Sequence, residues 1–361
     1  YGFDAPDPWP AGMSHCNMAA RDNDDFARRF VAPLLRHIVD ELGLESVRAF
    51  NPVNEALQYG VYQTPAGGPD PYEHYVEMFR AMRRALDDAG LDRGRMALVG
   101  CDCLCERDLF LMELHARGLD IDPWVDTYSA HFYNLRLDTL PPGDGSWSSP
   151  IQDVIRRVEA WQRYLRHKGK PLWVNEIGTF YYGWRENDPA GAGSFDACLT
   201  VAEAVLRLAG EGARAFALWD LFDDDSNDGS WSALKYEGGG RWRRENPKHA
   251  VYGLLARALR PGSEVWALQA EPATNLATVH GLALRATNGG RRVVLVNHDP
   301  LHNCEVEMAL PPEFVGGAWE GECVGRSGTG RALPQPAAER EGRLVVTVPA
   351  YSAVSLERAA S

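Results

Sequence analysis

Two segments of the sequence end in the same three residues, Val53-Asn54-Glu55 and Val174-Asn175-Glu176. Each follows a short apolar run, and such runs are typical of strands that are buried on both faces in parallel sheets. Ligands of parallel α/β proteins bind beyond the carboxyl ends of the strands. We therefore expect the two glutamates to lie on the same rim of one sheet.

Two carboxylates held close together can divide acid–base work between them. Like charges at short distance raise one pKa and lower the other, so one group stays protonated while its neighbour is ionised. Cleavage of a glycosidic bond needs this division, with a general acid on one side and a nucleophile or base on the other. A single glutamate at a strand end is more often a solvated carboxylate or an ion-pair partner. Two of them, each preceded by asparagine, favour a catalytic pair.

Alternating strands and helices are expected to position this pair. The segment Asp70-Pro71-Tyr72-Glu73, for example, combines an N-cap, a proline at the first helical position and a capping-box glutamate. Strict alternation predicts parallel strands with right-handed crossovers, and carboxylates at strand ends favour a (β/α)8 TIM-type barrel. Apolar runs predict strands at 47–50, 96–100, 125–133, 172–175 and 214–219. A full barrel needs three more, so the N-terminal strands are apparently missing.

The hydrophobic pattern changes after Gly262, where short alternating runs separated by turn residues begin. Asn288-Gly289, between two of these runs, is a strong signal for a two-residue hairpin. We therefore predict two domains, a partial barrel over 1–260 and a small all-β sandwich over 261–361. The runs lie at 264–270, 277–287, 291–298, 304–310, 317–324 and 342–357.

The two glutamate motifs resemble those of clan A glycoside hydrolases. Asn54-Glu55 is similar to the motif that ends the fourth barrel strand in this clan, and Glu176 within 174–178 is similar to the motif of the seventh strand. The resemblance implies that Glu55 is the acid/base, that Glu176 is the nucleophile and that Asn54 donates a hydrogen bond to the sugar 2-hydroxyl.

Three further positions extend the resemblance over nearly the whole chain. His131 and Tyr133 end the predicted sixth strand and are similar to a position that orients the nucleophile in this clan. Trp219 ends the predicted eighth strand and is similar to the aromatic platform beneath the sugar. The resemblance therefore implies that all three contact the substrate.

The sequence and the resemblance together predict a retaining glycoside hydrolase. It would cleave β-glycosidic bonds by a two-glutamate double displacement, without a metal or another cofactor. The alternative is a non-catalytic carbohydrate-binding protein on an incomplete barrel, because the early strands that supply an arginine near the nucleophile in this clan are not recognised. A metal-dependent hydrolase that uses His131 is disfavoured, since no histidine pair lies at ligand spacing on the strand ends.

Composition limits the partners. A formal net charge of −13 over 361 residues argues against nucleic acid, and no apolar run approaches the ~20 residues that span a bilayer. The expected partner is a carbohydrate, with a second copy or another chain as one way to complete the barrel and cover its open sheet edges. Seven cysteines, an odd number, argue against a disulfide framework. They favour a cytoplasmic location, with secretion as the alternative.

Overall fold

The structure is a computed structural model, and its described residues form two compact units. The first comprises the described residues up to Phe132 together with Trp161–Asn175, and the second comprises Tyr133–Ala160 and the described residues from Glu176 onward. The described residues are 22–55, 68–104, 109–141, 148–179, 181–182, 191, 193–222, 232–244, 247–269, 278–314, 316–327 and 329–358.

The first unit alternates helices and strands, as the sequence predicts. Helix α1 consists of four consecutive segments whose hydrogen bonding alternates between α and π geometry, namely Asn23–Phe26, Ala27–Val31, Ala32–Arg36 and His37–Glu41. Asp70 caps the next helix, because its carboxylate accepts hydrogen bonds from the backbone N–H groups of Tyr72 and Glu73. The following elements are β1 (Ala49–Phe50), α2 (Pro71–Asp88), β2 (Ala97–Leu104), α3 (Leu109–Ala116) and β3 (Thr127–Phe132).

The strands of the first unit form a parallel sheet. Strand β1 pairs in parallel with β2, and β2 pairs in parallel with β3. After the short strands β4 (Leu135–Arg136) and β5 (Ser149–Pro150), helix α4 (Ile151–Lys168) leads into β6 (Leu172–Ile177). The beginning of β6 lies beside β3, where the Tyr128 N–H donates to the Pro171 carbonyl at 3.0 Å.

The end of β6 belongs to the second unit, where it lies beside β7 (Ala215–Leu218). All five predicted strands are therefore present and adjacent in chain order. This confirms the predicted TIM-type α/β fold, with five strands of its sheet among the described residues. No helix in the described part of the chain is long and apolar enough to span a membrane.

The second unit also contains the predicted sandwich. The elements from α5 onward are α5 (Phe195–Gly210), β8 (Leu234–Gly238), β9 (Arg241–Arg244), α6 (Lys248–Ala258), β10 (Glu264–Ala267), β11 (Val279–Arg285), β12 (Arg291–Asn297), β13 (Cys304–Met308), β14 (Glu320–Gly325), β15 (Gly330–Ala332), β16 (Ala338–Arg340), β17 (Arg343–Val348) and β18 (Ser352–Arg358). Two antiparallel sheets, in the orders β10-β11-β12-β18-β14-β15 and β13-β17-β16, enclose an apolar core that includes Phe314, Trp319 and Val354.

Most sandwich boundaries agree with the sequence, and the differences have local causes. The hairpin at Asn288-Gly289 is present between β11 and β12, with Gly289 at φ 79°. The predicted run 342–357 is two strands, because the chain turns at Tyr351, whose φ is 49°. The short strands β15 and β16 and the hairpin β8–β9 carry weak apolar patterns, and the sequence did not reveal them. The predicted domain limits at 260/261 stay a prediction.

A buried ion cluster ties α5 to the sandwich strands that it contacts. The Glu203 carboxylate, on α5, is 2% exposed and lies 2.7 Å from both His298 Nδ1 and Arg207 Nη1. His280 Nε2, on β11, lies 3.2 Å from the same carboxylate. Burial alone would raise the pKa of Glu203, but the hydrogen bond and charge of His298, together with His280 and Arg207, lower that pKa to about 2.

We predict that Glu203→Gln destabilises the chain in a pH-dependent way. A pKa unit corresponds to about 1.4 kcal/mol, so the lowering of the Glu203 pKa is worth roughly 3 kcal/mol where the carboxylate is ionised in both folded and unfolded chains. Because the folded pKa lies below the unfolded one, this stabilisation is present above about pH 4.5 and is lost as the pH falls towards 2. Urea unfolding between pH 7 and 3.5 measures it.

Glu320→Gln is the matched control, since Glu320 is an exposed glutamate on β14 of the same unit. Its free energy of unfolding should stay close to that of the wild type at every pH. An equal loss for both variants, or a Glu203→Gln loss that does not shrink with falling pH, contradicts the role given to the cluster.

Candidate active site

Glu55 lies five residues after the end of β1, and its carboxylate is held by His131. The side chain is buried, and Glu55 Oε1 lies 2.8 Å from His131 Nδ1. The backbone of Glu55 has a φ of 46°, in the left-handed region that residues other than glycine rarely adopt. Such conformations cost free energy and cluster at functional sites. The backbone conformation of Glu55 therefore agrees with a functional role for its side chain.

The opposite edge of the His131 ring contacts a second carboxylate, that of Asp102. His131 Nε2 lies 3.0 Å from Asp102 Oδ1, and both side chains are about 1% exposed. Asp102 is the extra residue of a bulge in β2, because Cys101 pairs with Ser129 while Cys103 pairs with Ala130. Bulges next to functional sites redirect a side chain, and here the redirected side chain meets the histidine.

A glycine just before the bulge allows β2 to lie close to α2. Gly100 precedes the bulge, and a Cβ atom at that position would lie 2.8 Å from the ring of Phe79. Phe79 itself is fully buried on α2. Only glycine lets the chain approach the helix this closely before it turns at Asp102.

Glu176 lies near the end of β6, in the second unit, and is held by a tyrosine. The Tyr133 hydroxyl donates a hydrogen bond to Glu176 Oε2 at 2.6 Å. A bridge between Asn134 and Thr179 joins the two chain segments just beyond this pair. The Thr179 hydroxyl also donates to the Leu135 carbonyl at 2.6 Å. The hydrogen bond between Tyr133 and Glu176 is thus supported by backbone pairing.

Trp219 follows β7, and its backbone N–H donates to the Ile177 carbonyl at 3.1 Å. Its side chain is 37% exposed, and three more exposed aromatic residues lie after it in the same unit. The ring of Trp242 contacts the rings of Phe222 and Tyr236, with centroid distances of 5.5 and 5.0 Å. Exposed aromatic faces of this kind suit stacking against the apolar faces of sugar rings.

The structure therefore brings the predicted residues together in two groups, each within one unit. Glu55 is paired with His131, and Glu176 is paired with Tyr133. Asn54, which the sequence predicts as a sugar ligand, is exposed beside Glu55. Both ring nitrogens of His131 already lie within hydrogen-bond distance of a carboxylate. The prediction of no metal at this site stays a prediction.

Asp102 is the site residue that the sequence did not reveal. Prediction of strands from sequence relies on a regular alternation of side chains, and the bulge at Asp102 interrupts that alternation. The amide of Asn175 and the hydroxyl of Ser129 also donate to Asp102 Oδ1, each at 3.0 Å. The asparagine of the Val-Asn-Glu motif thus has a partner that only the folded chain supplies.

Comparison with solved structures identifies the fold of this chain. No protein-family model and no curated protein matches the sequence, but solved structures do. The catalytic domain of the family 30 xylanase C from Talaromyces cellulolyticus superposes with a TM-score of 0.60 at 13% identity, over 93% of this chain and 67% of that one. The chain has the clan A glycoside hydrolase fold.

Other glycoside hydrolase families of this clan give the same result. The family 51 arabinofuranosidase from Xanthomonas axonopodis pv. citri has a TM-score of 0.54 at 18% identity, over 95% of this chain and 74% of that one. The family 44 xyloglucanase from Paenibacillus polymyxa has a TM-score of 0.57 at 11% identity, over 90% and 69%. The predicted resemblance to clan A is therefore confirmed for the fold. The chain spans 67%, 74% and 69% of the lengths of the xylanase, arabinofuranosidase and xyloglucanase chains.

We predict that His131→Ala destabilises the chain strongly, because it leaves Glu55 and Asp102 buried without the group they share. Removing one partner of a buried ion pair costs about 3–5 kcal/mol, and urea unfolding at pH 7 measures this loss. His37→Ala is the control in the same unit. His37 is half exposed and contacts only the exposed Glu41 among the described pairs, so its replacement should cost roughly 0.5 kcal/mol or less. Equal losses would show that the His131 contacts contribute no special stability.

Proposed function

We propose that this chain is a retaining glycoside hydrolase that cleaves β-glycosidic bonds, with Glu55 as acid/base and Glu176 as nucleophile. The observation that carries the proposal is that one chain segment supplies a partner to each glutamate. His131 contacts Glu55, and Tyr133, two residues later, donates to Glu176. Side chains two residues apart point to the same side of an extended chain, which favours one shared site for both carboxylates.

The contacts of the two glutamates suit different roles. Glu55 is buried against a histidine that can share a proton with it, as a general acid requires. Glu176 accepts a hydrogen bond from a phenolic hydroxyl, which orients the carboxylate as a nucleophile requires. The fold neighbours are glycoside hydrolases, and their names specify xylanase, arabinofuranosidase and xyloglucanase activities. A neutral glycan is therefore the substrate class we propose.

The reaction follows in two balanced steps. Glu176 attacks the anomeric carbon as Glu55 gives its proton to the glycosidic oxygen, so the bond to the leaving sugar breaks and a glycosyl-enzyme forms. Glu55, now a carboxylate, takes a proton from water, whose oxygen attacks the same carbon and releases Glu176. Two inversions give net retention. In this proposal Asn54 donates to the sugar 2-hydroxyl, and the exposed ring of Trp219 stacks beneath the sugar.

Replacement of the nucleophile distinguishes an enzyme from a binding protein. We expect Glu176→Gln to lower kcat by at least about a thousand-fold, while the Kd for an oligosaccharide substrate, measured by calorimetry, changes by no more than about threefold. Glu305→Gln, at an exposed position of β13, should leave both unchanged. If wild type and Glu176→Gln bind the sugar equally and neither shows turnover, the chain is a non-catalytic carbohydrate-binding protein.

Replacement of the acid/base tests the division of roles. Glu55→Ala should slow hydrolysis of an aryl β-glycoside with a poorly acidic leaving group by roughly a hundred-fold or more, because that leaving group needs a proton. A dinitrophenyl glycoside, whose leaving group departs as a stable anion, should be affected far less in its first step. Added azide should then restore turnover and give a β-glycosyl azide, detectable by NMR. Equal losses on both substrates would contradict the acid role of Glu55.

A further inference from the structure

Asp102 is a buried carboxylate at the centre of the His131 contacts, and the mechanism above does not use it. It is 1% exposed, it occupies the bulge in β2, and its φ is 56°. Glu55 and Asp102, the two carboxylates on either side of the His131 ring, are both in the left-handed region. A strained backbone and a buried charge are each costly. Their coincidence at one residue points to a role beyond packing.

Three hydrogen-bond contacts of Asp102 converge on one oxygen. Oδ1 lies 3.0 Å from His131 Nε2, from the Ser129 hydroxyl and from the Asn175 amide nitrogen. A carboxylate oxygen only accepts hydrogen bonds when ionised, so this arrangement requires the proton of a neutral His131 to be on Nε2. The other ring nitrogen, Nδ1, is then left to accept a proton from Glu55 Oε1 or to donate one to it.

Asp102 is ionised in this setting. Burial alone would raise the pKa of Asp102, but the hydrogen bond and charge of His131, with hydrogen bonds from Asn51 and Ser129, hold it below its usual range. Glu55 and Asp102 are titratable groups of the same unit that contact the His131 ring. Cys101 precedes Asp102 on β2, and the hydroxyl of Tyr75, on α2, donates to the Cys101 carbonyl at 2.7 Å.

We propose that Asp102 is a positioning residue that acts on Glu55 through His131. It fixes the ring and its Nε2–H form, and its negative charge keeps one proton in the Glu55–His131 pair up to a higher pH than the pair would reach alone. The inference rests on the proposed function only in giving Glu55 the task of general acid. Through Asn175, the residue before Glu176, the same carboxylate also anchors the strand that carries the nucleophile.

The sign of the effect follows from the charge. An anion next to a histidine stabilises the protonated ring, so it raises the pH at which the pair loses its proton. Replacing Asp102 by asparagine keeps an oxygen that can accept the Nε2–H bond but removes the charge. The pair should then lose its proton at a pH lower by roughly one unit, the size of effect that one nearby charge produces. The alkaline limb of kcat/KM should move by the same amount in the same direction.

The first test needs no turnover. In ¹⁵N-histidine-labelled wild-type chain, with the His131 signals identified by comparison with His131→Asn, the ring nitrogen shifts report where the protons are. We expect Nε2 to stay protonated while Nδ1 is the nitrogen that titrates. A neutral ring with its proton on Nδ1 would overturn the inference, whether or not the chain hydrolyses glycosides.

The second test compares Asp102→Asn with Ser129→Ala. Ser129→Ala removes one hydrogen bond to the same oxygen but keeps the charge, so it is the matched control. We expect the His131 titration midpoint and the alkaline limb of kcat/KM to fall by about one pH unit in Asp102→Asn, and by less than about 0.3 in Ser129→Ala. Equal shifts of these two quantities in both variants, or no shift in Asp102→Asn, would contradict the proposal.

The outcomes also separate this inference from the proposed function. If Glu176→Gln shows that there is no hydrolysis to lose, the glycosidase proposal fails, but the ring titration still decides whether Asp102 controls His131. If hydrolysis depends on Glu176 but Asp102→Asn leaves the titration of the His131 ring unchanged, the glycosidase proposal stands and the inference is wrong. Thermal unfolding of both variants, followed by circular dichroism, confirms that the compared chains are folded.

Discussion

The candidate site depends on a histidine held between two buried carboxylates. Taking a carboxylate out of water costs several kcal/mol unless hydrogen bonds and an opposite charge replace the solvent. His131 supplies both to Glu55 and to Asp102, with one ring nitrogen for each. The bulge in β2, the close approach at Gly100 and the left-handed backbone of both acidic residues are what bring the three groups into line.

The second unit also contains a buried carboxylate in contact with histidine, but we assign it a different role. Glu203 is as deeply buried as Asp102 and also contacts histidines, but an arginine completes its surroundings. Its groups come from helix α5, from β11 and from the residue after β12, so the cluster joins helix and sandwich. One buried charge is thus proposed to control a proton, whereas the other stabilises a junction. The contrast shows that a strongly shifted pKa alone does not mark an active site.

The fold and the function rest on different observations. Likeness to glycoside hydrolases of several families at 11–18% identity establishes a shared architecture, yet those proteins bear the names of different activities, and one fold hosts many chemistries. The functional proposal therefore depends on Glu55, Glu176 and the side chains that contact them. Substrate choice is expected to lie in the loops around Trp219 and the β8–β9 hairpin, because loops rather than barrel strands vary between such enzymes.

The sequence by itself determined the order of the elements and the acidic residues at the strand ends. Apolar runs of strand length, the capping signal at Asp70 and the Asn288-Gly289 turn act locally, so their pattern can be read without knowing what packs against them. Two repeated Val-Asn-Glu segments were enough to predict Glu55 and Glu176 as a pair. Apolar runs placed His131, Tyr133 and Trp219 at strand ends, and the resemblance implied their roles.

Only the tertiary structure decided which groups touch these residues. Asp102 is brought to His131 by a bulge, which adds one residue to a strand and shifts the periodicity from which a sequence pattern is read. Asn175 was predicted as part of a motif, but its partner comes from a strand more than 70 residues earlier in the chain. Long-range hydrogen bonds of this kind depend on the register between strands, and register is set by packing across the whole sheet rather than by local sequence.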